Sequence, residues 1–371
     1  MEQDWLHRIA LSILEGVGPV TAKSLIGYCG GEEAVFKSTE RSLLKIPGIG
    51  AKQAKSILSQ NVLLKAEQIF KDSEKYGIEL IYFRQDNYPY RLKYLSDSPI
   101  LLYKKGKMDL NHKRMLSIVG TRNATEYGVS NLENWMKVLQ SYGPYIISGL
   151  AYGIDIASHR MALKYNLPTA CVLANGLDTL YPKLHMDTAK KMLENDGAWI
   201  SEFPVGTELI RENFPRRNRI IAALCDALIV VETKRKGGSI ISAEYANEYS
   251  KEVYALPGAV GSATSEGCNY LIKTHKAQLL DDIEDLIKDK DWQKYNQEKK
   301  KENHQTSLNL STYDTETQTI INVLMTHKAI GIDKLVQICA LESTKIASIL
   351  LNLEFEGLVK VLPGKRYKIN L

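Results

Sequence analysis

Arg122, Lys183, Arg211, Arg216, Arg217 and Arg219 all stand in or just behind short runs of glycine and hydroxyl residues. Gly120-Thr121-Arg122 follows one apolar run, and SGLAYGID (148–155), NGLDTLYPK (175–183), FPVGTELIRENFPRRNR (203–219) and KRKGGSIISAE (234–244) follow four others. Turns at Gly149, Gly153 and Gly238 expose backbone amides, and amides in the first turn of a helix carry the positive end of its dipole. Guanidinium groups add charged, bidentate donors for the same kind of acceptor. The combination suits phosphate.

Other chemistries fit the sequence less well. No G-x-G-x-x-G opens the first strand-to-helix turn, no acidic residue follows at ribose distance, and G-x-x-x-x-G-K-[ST] is absent. His159 and His185 have no Cys or His partner at ligand spacing, and His159 reads as a helix-face residue, so neither a metal nor a cofactor is expected. The five cysteines (29, 171, 225, 268, 339) are scattered, as reduced thiols of a cytoplasmic protein would be. No apolar run reaches membrane-spanning length, and no membrane association is expected. A net charge of +5 is compatible with a polyanionic partner without establishing one. KGGSIISAE (236–244) resembles, weakly, the P-G-G-x-G-T-x-x-E box of nucleotide-cleaving Rossmann enzymes, the nucleoside monophosphate phosphoribohydrolases. Lys236 stands in place of the proline and Ile240-Ile241-Ser242 in place of the glycine-threonine pair, so Glu244 is expected to cap or pair rather than to catalyse.

The elements that hold these turns follow from periodicity. Residues 1–75 read as helical, with GVGPVTAKSLI (16–26) and IPGIGAKQAKSIL (46–58) resembling two helix-hairpin-helix units; Lys23 is the first unit's one basic residue. From 76 to 288 strands and helices alternate after two short strands (78–83 and 99–106), which means α/β: a Rossmann-like, doubly wound, mostly parallel sheet. Ligands of such sheets bind outside the carboxyl ends of the strands, where the basic turns fall. Residues 289–312 are polar and aperiodic, a linker; 313–371 read as three helices and a hairpin, a winged helix. The stretch 268–287 is apolar at Leu271, Ile272, Leu279, Leu280, Ile283, Leu286 and Ile287, more than one packed helix requires, and a homodimer interface is expected there.

IVGTR (118–122), SGLAYGIDIASH (148–159), LANGLDTLYP (173–182), SEFPVG (201–206), NFPRRNRIIAAL (213–224), VVETKRKGGSIISAEYA (230–246) and ALPGAVGSATSEGCNYLI (255–272) together resemble the ordered motifs of the DprA/Smf family of DNA-processing proteins. The resemblance implies a non-enzymatic recombination mediator of natural transformation. Such a protein binds single-stranded DNA, dimerises through its Rossmann-like domain and helps load the recombinase RecA. It places DNA contacts on Thr121, where the family often has serine, and on Arg122, Lys183 and Arg211. Arg217, Asn218 and Arg219 complete the expected pocket, with the turns at Gly149, Gly153, Gly238 and Ser239.

Overall fold

The computed structural model describes residues 2–59, 61–294, 313–326, 329–355, 358–362 and 366–369. The chain divides into two compact units, Met1–Tyr295 and Asn296–Leu371. The first begins with six helices: α1 (Glu2–Ser12), α2 (Pro19–Cys29), α3 (Glu32–Lys37), α4 (Glu40–Leu43), α5 (Ala51–Leu58) and α6 (Asn61–Lys75). Gly16 and Gly48 take φ of 72° and 83°, the left-handed turns that let α1 fold back on α2 and α4 on α5. Ile9, Leu11 and Leu25 of these helices share one buried cluster with Leu101, Tyr103, Cys171 and Trp199 of the following region. The helices are therefore packed on the sheet.

The sheet has nine strands in the order β1-β2-β6-β5-β4-β3-β7-β8-β9. β1 (Glu79–Tyr82) and β2 (Leu101–Gly106) form an antiparallel border. β3 (Met115–Val119), β4 (Tyr145–Ser148), β5 (Thr169–Val172), β6 (Ala198–Ser201), β7 (Ala227–Val230), β8 (Glu252–Ala255) and β9 (Gln278–Leu279) run parallel. All five residues of β3 are buried, as a strand covered on both faces must be. After α7 (Tyr90–Lys93), the crossover helices are α8 (Glu126–Leu139), α9 (Ile154–Lys164), α10 (Met186–Glu194), α11 (Asn213–Ala223) and α12 (Gly238–Glu248); α13 (Glu266–Lys273) and α14 (Ile283–Asp289) close the unit. This is the expected α/β architecture, with one strand, β9, inside a stretch read as helical.

Arg91 on α7 locks the border to the sheet: its Nε and Nη2 each lie 2.8 Å from the Asp226 carboxylate, which also accepts from the Met115 amide. Within the expected linker, Trp292 is buried against the core and Lys290 pairs with Glu252 at 2.7 Å. Residues 295–312, the rest of that stretch, lie outside the described residues. The second unit carries helices Thr315–Thr326, Ile332–Cys339 and Ser343–Phe355 and a three-stranded sheet, the winged-helix order. Its last helix contains one basic residue, Lys345, paired with Glu316 at 2.6 Å.

The apolar stretch 268–287 is largely core. Leu271 and Leu280 are fully buried, as are Ile283, Leu286 and Ile287 to within a few per cent, because α13 and α14 cover opposite faces of the sheet. Ile272 packs against the core, and Leu279 alone of the four expected interface residues is half-exposed.

Candidate nucleic-acid interface

Strand order reverses between β3 and β7, and the crevice at their carboxyl ends is the usual ligand position of an open α/β sheet. It encloses about 310 Å3 between Gly120, Thr121, Arg122, Ala151, Asp155, the start of α11, and the segment 233–242. The Thr121 amide donates to Glu232 O at 2.6 Å, tying the two loops together. Arg122 then projects into solvent with its guanidinium 5.7 Å from the Phe214 ring centre.

The second wall is the turn after β4. Leu150 holds φ 59° and Gly153 φ 75°. A Cβ at Gly153 would stand 2.1 Å from Thr121 O, so only glycine lets the turn press on the 121–122 backbone. The His185 ring donates from Nδ1 to Leu150 O at 2.7 Å, the tautomer a carbonyl acceptor demands. Gly149 is closer still to its neighbours: a Cβ there would meet Arg217 Nη1 at 2.0 Å and Asp155 Oδ2 at 2.7 Å. Arg217 is only 5% exposed and its Nη1 donates to Gly149 O at 2.5 Å and Val172 O at 2.8 Å. It forms the crevice floor and braces the two loops. Burial pushes the Asp155 carboxyl up, with the Arg217 charge pulling the other way.

The third wall starts α12. Gly237 caps this helix without a side-chain bond, and among the described residues no hydrogen bond uses the Gly238 or Ser239 amide. Nothing lies within 4 Å of a Cβ built on Gly238, and the buried Ser239 Oγ has no partner. Asn218 Nδ2 sits 3.5 Å from Gly238 O. Lys234 and Lys236 are exposed and line the crevice, whereas Arg235 turns away to lie 3.8 Å over the Tyr270 ring.

The crevice thus gathers Thr121, Arg122, Arg217, Asn218, Gly238 and Ser239, with Gly149 and Gly153 shaping its wall. Lys183, at the head of the turn Lys183–His185, and Arg211 are exposed but outside its lining. Arg219 is not brought there: it is buried, paired with Glu202, and donates to Asp97 O at 2.5 Å. Neighbouring residues of a helix point about 100° apart, so 217, 218 and 219 cannot all face one ligand, and Arg216, three residues before Arg219, also lies 3.6 Å from Glu202. Sequence reasoning left out Lys234, Lys236 and Phe214 as ligand-facing residues; the lysines' place directly before a helix-opening Gly-Gly was the available signal.

The acid among the lining residues, Asp155, is buried beside Arg217. Glu244 is exposed and pairs with Lys276 at 3.5 Å, outside the lining residues. His159 is fully buried with Nδ1 2.7 Å from Thr169 Oγ1, and burial pushes its pKa down to about 3, so it stays neutral. Among the described residues no cluster of His, Cys, Asp or Glu is fit to hold a metal ion.

A nine-stranded α/β sheet with a cationic, amide-lined crevice at its switch point defines a Rossmann-like protein suited to anionic ligands. The model of the DNA recombination-mediator protein A family matches residues 79–291, and the chain belongs to that family. A DprA winged-helix model matches residues 305–365 and a SAM-like helix-hairpin-helix tandem residues 9–60. Protein Smf of Synechocystis is 29% identical over 97% of both chains. DNA processing protein DprA of Streptococcus pneumoniae is 37% identical over 54% of this chain and 71% of its own length. The crystal structure of the Streptococcus pneumoniae DprA matches 78% of this chain and 99% of its own with a TM-score of 0.62 at 27% identity. A Helicobacter pylori DprA structure, described for its single-stranded DNA binding mode, matches 58% of this chain and 97% of its own, with a TM-score of 0.52 at 29% identity.

Proposed function

We propose that this protein is a cytoplasmic, non-enzymatic mediator of recombination. It holds single-stranded DNA in the crevice between β3 and β7, works as a homodimer and helps load RecA on incoming DNA during transformation. The observation that carries the reading is the meeting of Arg122, Lys234 and Lys236 with the unspent amides of Gly238 and Ser239 at the switch point. Amides and cations together hold successive phosphates of a flexible strand, and the reading is supported by the family's recombination-mediator description and by the Helicobacter pylori relative's being described as binding single-stranded DNA. Among the described residues the cysteines are free, and burial pushes the Cys171 and Cys268 thiols up to about 12, as inert reduced thiols would be.

The test is a salt series with single- and double-stranded oligonucleotides of equal length, using the wild type and Arg122→Ala. The wild type should prefer the single strand. The variant should bind more weakly on every sequence, with a log–log salt slope smaller by about 0.7, one phosphate contact on a single strand. Equal affinity for both strands, or a variant with unchanged slope, would remove the crevice as the binding site. RecA filament growth on a strand precoated with a single-strand binding protein tests loading: no acceleration over RecA alone would sink that half of the reading.

A further inference from the structure

Asp155 lines the crevice together with the cations Arg122, Arg217, Lys234 and Lys236. An acid in the first turn of a helix is ordinary at a protein surface, where it faces water and offsets the helix dipole. Asp155 does stand in the first turn of α9, but it is only 7% exposed. Its carboxylate is pressed against the turn after β4, with Oδ2 at 3.4 Å from the Ala151 amide and 2.7 Å from where a Cβ on Gly149 would be. Arg217, the nearest cation, is spent elsewhere. Its Nη1 donates to the carbonyls of Gly149 and Val172 and its Nε to Asn218 Oδ1 at 3.1 Å. Among the described residues no hydrogen bond or salt bridge joins it to Asp155. A carboxylate so placed repels the anion that the crevice otherwise suits, and a bound strand would displace the water that screens it.

The other groups that face Asp155 are few. Arg217 comes from α11, and Arg122, Lys234 and Lys236 stand across the crevice. Next to Arg217 the Cys171 thiol, pushed up to about 12 by burial, stays neutral. One turn along α9, His159 stays neutral as well. His185 lies buried beneath the same turn, bonded to Leu150 O.

We propose that Asp155 couples strand binding to a proton: a phosphodiester settles in the crevice as the Asp155 carboxylate takes a proton from solvent. The neutral carboxyl no longer repels the strand and can donate its O–H to a phosphate oxygen. This inference rests on the single-stranded DNA reading above and names what regulates that site. Its direction follows from linkage. Burial already holds the carboxyl above its ordinary value, against the pull of Arg217, and the charge of a bound strand raises it further. Between those two values the complex carries more protons than its parts. Affinity therefore rises as the pH falls through that window, by at most about tenfold per pH unit, and is level on either side of it.

The experiment uses a short oligothymidylate without a terminal phosphate, titrated from about pH 5 to 8, where a buried carboxyl titrates. Calorimetry in two buffers of different ionisation heat counts the protons taken up by the wild type and by Asp155→Asn. The wild type should take up protons within this range, and its affinity should rise toward acid. Asp155→Asn has the shape and neutrality of the protonated carboxyl. It should take up none, show a flat profile, and bind about tenfold more tightly than the wild type at the alkaline end, the effect of one neighbouring charge. A damaged fold cannot produce tighter binding. Wild-type protein that takes up no proton anywhere in the range would overturn the proposal without any variant. So would an Asp155→Asn protein that binds no more tightly, the mark of a carboxylate that only orients Arg217. Uptake that persists in Asp155→Asn would assign the proton to His185 and equally overturn it. Wild-type protein that fails to bind the oligothymidylate at low salt would instead overturn the single-stranded DNA reading.

Discussion

Gly149 and Arg217 show how little freedom the crevice has at the level of single residues. The guanidinium lies where a Cβ on residue 149 would be, and it cannot retreat because it is spent on the carbonyls of Gly149 and Val172. Gly149→Ala should therefore cost about 2 kcal/mol or more in stability and weaken single-strand binding together, read by urea unfolding and by titration. A variant as stable as wild type would show the floor to be soft. The sequence marked Arg217 as a phosphate ligand, but its role as a brace depends on Val172 and Gly149, far away along the chain, and no local spacing reveals them. His159 makes a second residue-level prediction. Its pKa is about 3 in the fold against an ordinary value of 6.5, so both states are neutral above about pH 6.5. As the pH falls below that, the unfolded chain takes up the proton first, and stability drops until about pH 3, by up to roughly 1.4 kcal/mol per unit. His159→Gln should flatten this limb between about pH 6.5 and 4.5 in urea melts; parallel profiles for the two proteins would refute the assignment.

At the scale of elements, what was legible in the sequence is what repeats locally. β3, β4, β5, β7 and β8 read as apolar runs ending in glycine turns because a parallel sheet covered on both faces leaves no polar alternation. β9 went unread because two residues have no period. The docking of the N-terminal helices was also hidden, since it joins residues far apart. Lys23, the first hairpin's one basic residue, donates from Nζ to Leu95 O at 2.9 Å, Ser96 O at 3.1 Å and Ser98 Oγ at 2.7 Å. Burial pushes its pKa down to about 8, against the pull of Asp97. The second hairpin's Lys52 is paired with Glu15 at 2.6 Å. Lys23 thus holds the helices to their neighbours and is spent there, whereas Lys52 is offset by Glu15 at the surface and Lys55 of the second hairpin is exposed. Lys23→Ala should lower stability by about 1–3 kcal/mol, the cost of stranding its acceptors, while leaving oligonucleotide affinity unchanged. A loss of affinity without loss of stability would return the hairpin to the DNA-binding surface.

For the whole molecule the open question of assembly falls on one border of the sheet. The apolar stretch expected to join two copies is mostly interior, and what it leaves outside is β9, a last strand whose outer edge carries Leu279 at 49% exposure. An unpaired edge is a template for another strand, and a two-fold axis through it would let one short segment serve both copies. Pairing there would continue the sheet and add the side chain of Leu279 to its own symmetry mate. Two crevices would then share a long strand, raising avidity without any new contact to DNA. We therefore expect the wild type to sediment as a concentration-dependent dimer at micromolar protein. Leu279→Lys, which sets like charges against each other across the axis, should shift it toward the 41.7 kDa monomer. Binding of an oligonucleotide too short to reach both crevices should be unaffected, and binding of a long strand should weaken. A wild type that remains a monomer throughout the range would show that β9 is a closed border, and a dimer indifferent to Leu279→Lys would move the interface elsewhere on the molecule.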